Sequence, residues 1–112
     1  MENDSNWEVL LWLLDIIVSS HLGQEAVVEN AYIIINRLLV LISYPHMMLV
    51  RETAIQCLVA MSALPHTRIY PMRSQVLRAI SNALDDPKRA VRQEAVRCRQ
   101  AWATIASRSL QY

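Results

Sequence analysis

The chain has 112 residues, a formal net charge of +1 and 54% hydrophobic residues, and this composition indicates one folded domain and excludes a disordered chain. It contains a single glycine, Gly23, which excludes glycine-rich phosphate-binding loops, dinucleotide fingerprints and nucleophile elbows and disfavours an all-β fold. The two cysteines are too few for a disulfide scaffold, so we expect a reducing compartment.

A first helix is predicted over residues 5–20. Ser5 and Glu8 have the spacing of a capping box immediately before an apolar run. That run is interrupted by Asp15 and is too short to span a bilayer, so it indicates a helix that packs on protein. We expect no membrane association.

Gly23 and two prolines delimit the next two helices. Gly23 stands where a helix ends in the left-handed conformation, so a second helix is predicted over residues 24–42. Pro45 separates it from a third helix, which ends before Pro65. These two helices form the first predicted repeat, residues 24–63.

Two further prolines mark the last two helices. Pro71 falls in the first turn of the fourth helix, where the missing N–H group costs nothing. Asp86, just before Pro87, supplies an N-cap for the fifth helix. These helices form the second predicted repeat, residues 71–109, and complete a single predicted domain over residues 1–112.

The third and fifth predicted helices are similar in sequence. We name the shift that carries Val50 onto Val91 the repeat shift. It aligns identical residues: Val50-Arg51 with Val91-Arg92, Ala54 with Ala95, Cys57 with Cys98 and Ala60 with Ala101. The same shift places Met61 opposite Trp102. Because the apolar positions are spaced by three and four residues, they share one face of each helix. A shift longer by one position aligns the second and fourth helices in the same way.

A period of about 40 residues with two helices in each unit is typical of HEAT repeats. In HEAT units the second helix opens with Asp, Pro and Val-Arg, and Asp86, Pro87, Val91 and Arg92 resemble that opening. The Asp and Arg of neighbouring HEAT repeats pair, which here concerns Asp86, Arg51 and Arg92. We therefore predict an all-α protein, a short right-handed α-solenoid of five helices in HEAT-type (armadillo-like) hairpins. The alternative is a generic antiparallel helical bundle.

The first and last predicted helices differ in their outer faces. The first is apolar almost all round from Val9 to Val18, so we expect a further repeat on its other side and a chain at the end of a longer array. The fifth combines an apolar stripe that includes Trp102 with a basic remainder. That pattern is typical of a C-terminal capping helix.

No group of residues predicts catalysis or a metal site. The three histidines are isolated from one another and lack an i, i+4 partner: His21, His46 and His66. Cys57 and Cys98 occupy equivalent repeat positions and are interpreted as small buried packing residues. Asp85 and Asp86 are explained as helix caps. We expect no enzyme activity, no metal and no cofactor.

Positive charge is concentrated in the second half of the chain, because residues 1–65 carry a net −5 and residues 66–112 a net +6. The candidate protein-binding residues are the basic side chains of the last two helices: Arg73, Arg78, Lys88, Arg89, Arg92, Arg97 and Arg99. A solvated capping face is the simplest alternative. A nucleic-acid site is less favoured, since aromatic residues do not alternate with these basic ones.

The last two helices resemble the extreme C-terminus of a known family. The similarity is carried by Tyr70-Pro71, residues 76–80, Leu84-Asp85-Asp86, Lys88-Arg89, Val91-Arg92, Glu94-Ala95-Val96, Arg99 and Trp102. The family is the methyl-methanesulfonate-sensitivity type of HEAT-repeat scaffold in cytosolic iron–sulfur protein assembly, also linked to nucleotide excision repair and transcription. Its members are many times longer than this chain. The resemblance implies a non-enzymatic scaffold in the cytoplasm and nucleus.

The same resemblance implies the partners. The family joins a β-propeller protein and a small partner protein in a complex that hands clusters to apo-enzymes of DNA repair, replication and transcription. Its C-terminal repeats are associated with docking those assembly proteins, and the scaffold itself is not expected to hold the cluster. The alternatives are a general HEAT or armadillo adaptor without an iron–sulfur role, or weak nucleic-acid binding through the basic C-terminal helix.

Overall fold

The chain forms α-helices joined by short turns in a computed structural model, which describes residues 5–19 and 24–105. In chain order these are α1 (Ser5–Ser19), α2 (Gln24–Glu29), α3 (Ala31–Leu41), α4 (Met48–Met61), α5 (His66–Ile69), a 3₁₀ turn (Tyr70–Met72), α6 (Arg73–Ala83) and α7 (Arg89–Ala103). No strand occurs among the described residues. The predicted all-α, solenoid-like architecture is confirmed.

Three helices form a continuous stack. α4 lies in the middle of this stack and packs against α1 on one side and α7 on the other. α3 packs on α4, and α6 packs on α7, so each pair is a helical hairpin. The two hairpins lie side by side, and α1 occupies the place next to α4 that the second helix of a preceding hairpin would occupy.

The core follows the stripe that the repeat shift aligns. The aligned residues are completely buried in both helices: Val50, Ala54 and Cys57 in α4, and Val91, Ala95 and Cys98 in α7. Burying a valine side chain such as that of Val50 or Val91 contributes roughly 1.5–3 kcal/mol. Packing of these faces therefore stabilises α4 and α7 more than their intrinsic helix propensity does.

The prediction of one continuous second helix over residues 24–42 is wrong, because Asn30 separates α2 from α3. The backbone of Asn30 leaves the helical region, with φ −108° and ψ 21°. Its side-chain amide donates to the carbonyl oxygen of Ala26 at 2.8 Å, the same oxygen that accepts its backbone N–H at 3.0 Å. An amide side chain that competes for a helix carbonyl in this way interrupts the regular pattern.

The predicted start of the fourth helix at Pro71 is also wrong. Pro71 lies within the 3₁₀ turn, and the α-helix begins at Arg73. Proline fits this tight turn because it has no N–H group to satisfy. With the division at Asn30 and the short α5, the described residues contain more helical segments than the five predicted.

The predicted aspartate N-cap of the last helix is not observed. The residue before α7 is Lys88, in extended conformation, and no side chain caps the helix there. Asp86 Oδ1 instead accepts the backbone N–H of Lys88 at 2.9 Å, two residues on, and so shapes the turn ahead of the helix. The helix ends at Ala103, and the predicted extension over 106–109, like the Gly23 turn, lies outside the described residues.

Candidate protein-binding surface

Arg51 and Asp86 form a two-pronged ion pair between the two hairpins. Arg51 Nε donates to Asp86 Oδ2 at 2.8 Å and Nη2 donates to Oδ1 at 3.1 Å, while Nη1 donates to the carbonyl oxygen of Tyr44 at 3.0 Å. The side chains are only 11% and 8% exposed. The pair therefore links the start of α4 to the turn before α7.

The charges around Asp86 hold its carboxyl group ionised. Burial alone would raise the pKa, but hydrogen bonds from Arg51 and the Lys88 backbone N–H and the charges of Arg51 and Arg92 lower the Asp86 pKa below its ordinary value. Arg92 Nη1 also donates to the main-chain oxygen of Asp86 at 2.8 Å. Arg92, predicted as a protein-binding residue, is thus engaged in holding this turn.

Acid is expected to remove the contribution of Asp86 to stability. The folded-state pKa lies below the unfolded value of about 3.9, so the contribution is complete above that value and is lost as the pH falls through the folded pKa. Urea unfolding of the wild type and of Asp86→Asn, between about pH 6 and about pH 2, measures it. The stability difference should shrink as the pH falls, and a difference that stays constant contradicts the assignment.

Arg73, also predicted to bind protein, caps the end of α7. Its Nε donates to the carbonyl oxygen of Trp102 at 3.0 Å, and Nη2 donates to that of Ala103 at 2.9 Å. Its guanidinium carbon lies 6.0 Å from the centroid of the Tyr70 ring. A cation at the carbonyl end of a helix satisfies free acceptors and opposes the helix dipole. The role of Arg73 in this structure is to join α6 to α7.

The other predicted basic residues are exposed, but they do not form one continuous ridge. Arg97 and Arg99 are two positions apart, which places them about 200° apart around the helix. Arg97 pairs with Glu94 at 2.9 Å and lines a groove beside α1 and α4. Lys88 and Arg89 are exposed at the start of α7, and we name these two residues the basic edge, while Arg99 is exposed ten residues further along the helix. Arg78 is exposed on α6.

The positive charge of the basic edge is unfavourable at its place on α7. Lys88 and Arg89 stand at the N-terminus of α7, where the helix dipole is positive, and the first turn contains no acidic residue. Positive charge at this end destabilises a helix. Helix stability therefore does not explain why Lys88 and Arg89 are basic. Surface residues that are unfavourable for their own helix are typical of functional sites, and this favours a binding role.

The cysteines are packing residues in this fold. Both are free and buried, and burial raises the pKa of the Cys57 and Cys98 thiols to about 12, so both are protonated at neutral pH. Cys57 Sγ donates to the carbonyl oxygen of Leu10 at 3.5 Å.

The part of the chain that the structure describes contains no cluster of three or more His, Cys, Asp or Glu placed to hold a metal. Within it, no helix is both long and apolar enough to cross a membrane.

A groove of about 610 Å³ opens beside the Arg51–Asp86 pair, where the loops of the two hairpins meet. Tyr44 and His46 line it with their rings edge to face, 5.5 Å between centroids. All three nitrogens of Arg51 already donate to Asp86 or Tyr44, so its charge is directed into the fold. The sequence carries no signal for this groove, since its walls come from two loops that are far apart in the chain.

Comparison with known proteins finds relatives that are much longer than this chain. No family model matches the chain. It is 59% identical over 109 residues, 97% of its length, to the MMS19 nucleotide excision repair protein homolog of Arabidopsis thaliana. It is 44% identical over 66 residues to the Mus musculus protein of the same name and 45% identical over 60 residues to the Homo sapiens one, 59% and 54% of the chain. It spans 10% of the Arabidopsis relative and 6% of each of the other two. The chain is therefore homologous to the C-terminal part of these MMS19 nucleotide excision repair proteins.

Proposed function

We propose that this chain is a non-enzymatic interaction scaffold that acts in nucleotide excision repair and in cytosolic iron–sulfur protein assembly, in the cytoplasm and nucleus. The names of its relatives support the repair role. The iron–sulfur role is supported by the resemblance of the last two helices to the assembly scaffold. In this role the chain helps to target clusters to apo-proteins of DNA repair, replication and transcription.

The proposed partners are the β-propeller protein and the small partner protein of the targeting complex, and the client enzymes that receive clusters. The observation that carries the docking proposal is the basic edge, since Lys88 and Arg89 are exposed at a helix end where they weaken the helix. An exposed basic surface steers and orients an acidic partner. Affinity purification of the tagged chain with mass spectrometry tests whether the β-propeller and its small companion are captured together.

Charge reversal at the basic edge should separate binding from stability. The double substitution Lys88→Glu and Arg89→Glu should lower capture of the partners about tenfold, which corresponds to about 1.4 kcal/mol. The melting temperature should stay unchanged or rise, because acidic residues suit the N-terminus of a helix. Quantitative pull-down at low and at raised salt, with thermal unfolding of both proteins, measures the two effects.

The control for this experiment is Arg37→Glu, an exposed charge reversal on α3. It should leave capture unchanged. Arg92 and Arg73 are excluded from the variant because both donate to main-chain carbonyl groups. If the double variant captures the partners fully at low salt, the basic edge is not the contact. Tight retention of duplex DNA by the wild type at physiological salt would favour nucleic-acid binding instead.

A further inference from the structure

Two cavities lie side by side across the α1–α4–α7 stack. One has a volume of about 410 Å³ and is lined by all three helices, from Leu14 of α1 to Arg97 of α7. The other has a volume of about 480 Å³ and extends to Gln100, towards the end of α7. Because Val59 and Arg97 line both cavities, the two form one groove, which we name the cross-stack groove.

The repeat shift relates the residues along this groove. It carries the residues of α1 onto those of α4, and those of α4 onto those of α7, with the same helical face in each case. Leu14 lines the groove, and the next residue, Asp15, is exposed beside it. Two rows of corresponding residues therefore cross the stack: Asp15, Gln56 and Arg97 in one, and Val18, Val59 and Gln100 in the other.

The first row has opposite charges at its two ends. Asp15 is exposed on α1, Arg97 is 63% exposed on α7, and Gln56 between them is neutral. Arg97 Nη1 donates to both carboxylate oxygens of Glu94, at 3.1 and 2.9 Å. The Glu94 side chain is only 12% exposed, so the charge that this pair presents to solvent is that of Arg97. Both bonds use Nη1, and the Nε and Nη2 side of the guanidinium can bind a second carboxylate with two hydrogen bonds.

The second row gives the groove an apolar middle with amide groups beside it. Val18 is 65% exposed, and Val59 and Ala101 are half-buried. The side chains of Gln56 and Gln100 each carry a carbonyl and an NH₂ group, which can pair with the N–H and C=O groups of a peptide backbone. An extended peptide needs both features, because its backbone groups require partners and its side chains alternate between two faces.

We propose that the cross-stack groove binds an extended peptide segment of a partner protein. The segment places an acidic residue at Arg97, a basic residue at Asp15 and an apolar side chain between them. Packed helices lie about 8–10 Å apart, so two steps of the stack separate α1 from α7 by about 16–20 Å. An extended chain covers about 3.3 Å per residue, and the acidic and basic residues are therefore about five or six positions apart.

This contact goes beyond the proposed function and does not depend on the iron–sulfur role. It also differs from the basic edge, because Lys88 and Arg89 stand at the start of α7, whereas the groove uses the second half of that helix. The two surfaces can therefore be tested separately.

The test selects peptides on the immobilised chain from a phage-displayed library of random dodecapeptides. The selected peptides should share a basic and an acidic residue about five or six positions apart, with an apolar residue between them. A selected peptide is then labelled with fluorescein, and its fluorescence anisotropy gives the affinity for the wild type and for each variant.

Arg97→Glu should weaken binding of the selected peptide about tenfold or more, because it reverses the charge that meets the acidic residue. Arg97→Gln should weaken it less, since it adds no charge beside Glu94. Val18→Ser should also weaken binding, because it removes an exposed apolar contact. Arg99→Glu is the matched control and should leave the affinity unchanged, since Arg99 is exposed on the same helix about 200° away from Arg97. All four positions are exposed or apart from the core, so the melting temperatures should stay close to that of the wild type.

An exchange of charges tests the direction of the peptide. The double variant Asp15→Lys with Arg97→Glu should bind the selected peptide weakly and should regain affinity for a peptide in which the acidic and basic residues are exchanged. A selection that yields no peptide with tighter binding to the wild type than to Arg97→Glu overturns the proposal. Selected peptides that lose binding with Lys88→Glu and Arg89→Glu, but keep it with Arg97→Glu and Val18→Ser, assign peptide binding to the basic edge and also overturn it.

Discussion

Replacing Arg51 by methionine is expected to lower the free energy of unfolding by about 2–3 kcal/mol, because a partly buried carboxylate loses its charged partner. Arg51 donates to both carboxylate oxygens of Asp86 and to the carbonyl oxygen of Tyr44. Without it, the 8%-exposed Asp86 carboxylate keeps the Lys88 backbone N–H and loses both side-chain donors. The loss acts at the boundary between the two hairpins, so both should unfold at lower denaturant concentration.

A double-mutant cycle with Asp86→Asn isolates the interaction. Because the two side chains interact, the losses of unfolding free energy in Arg51→Met and Asp86→Asn should sum to clearly more than the loss in the double variant. Urea unfolding of the four proteins gives the coupling free energy. Arg97→Met serves as the control, since the Arg97–Glu94 pair joins neighbours on one helix and Arg97 is 63% exposed, and such pairs contribute little. Additive effects at Arg51 and Asp86 would mean that the ion pair does not couple the hairpins.

The stacked helices could be predicted because their signal is local and repeated. Val50, Ala54 and Cys57 recur one repeat later as Val91, Ala95 and Cys98. A stripe of small apolar residues at helical spacing has one physical use, close packing against another helix. The structure buries all of these positions completely. The exposed apolar side of α1 could be anticipated from the same reasoning, since a helix apolar all round has more surface than one neighbour can cover.

Apart from the Arg51–Asp86 pair, which the resemblance to HEAT repeats indicated, the roles of individual polar residues could not be predicted, because they depend on which chain segments meet in space. Arg73 and Arg92 look like members of a basic surface in sequence, but the fold brings each guanidinium to main-chain carbonyl groups. Asp86 was predicted as a helix cap, which the structure does not show, but its pairing with Arg51, 35 residues away, follows the resemblance to HEAT repeats. At Asn30 the side-chain amide and the backbone N–H donate to one acceptor, the carbonyl oxygen of Ala26, and residue spacing does not encode this competition.

Trp102→Ala is expected to lower the free energy of unfolding by about 3–5 kcal/mol, more than the loss of Arg51. Trp102 is the largest completely buried side chain, and it fills the space between α7 and α4 while its Nε1 donates to the carbonyl oxygen of Leu58. Trp102→Phe keeps most of the ring and removes the donor. Leu58 O still accepts the Ser62 backbone N–H at 3.2 Å, so no buried acceptor is left unpaired, and the cost should be only about 1–2 kcal/mol.

Two further variants show whether packing or the hydrogen bond dominates at this position. Trp102→Met places there the residue that the repeat shift aligns with it, Met61, which is completely buried in α4. If filled volume is what matters, Met should fall between Phe and Ala in urea unfolding. Trp12→Ala, at a 70%-exposed indole on α1, is the matched control and should change the stability of this chain little. A loss at Trp102→Phe equal to that at Trp102→Ala would show instead that the indole N–H bond, and not the buried ring, joins the two helices.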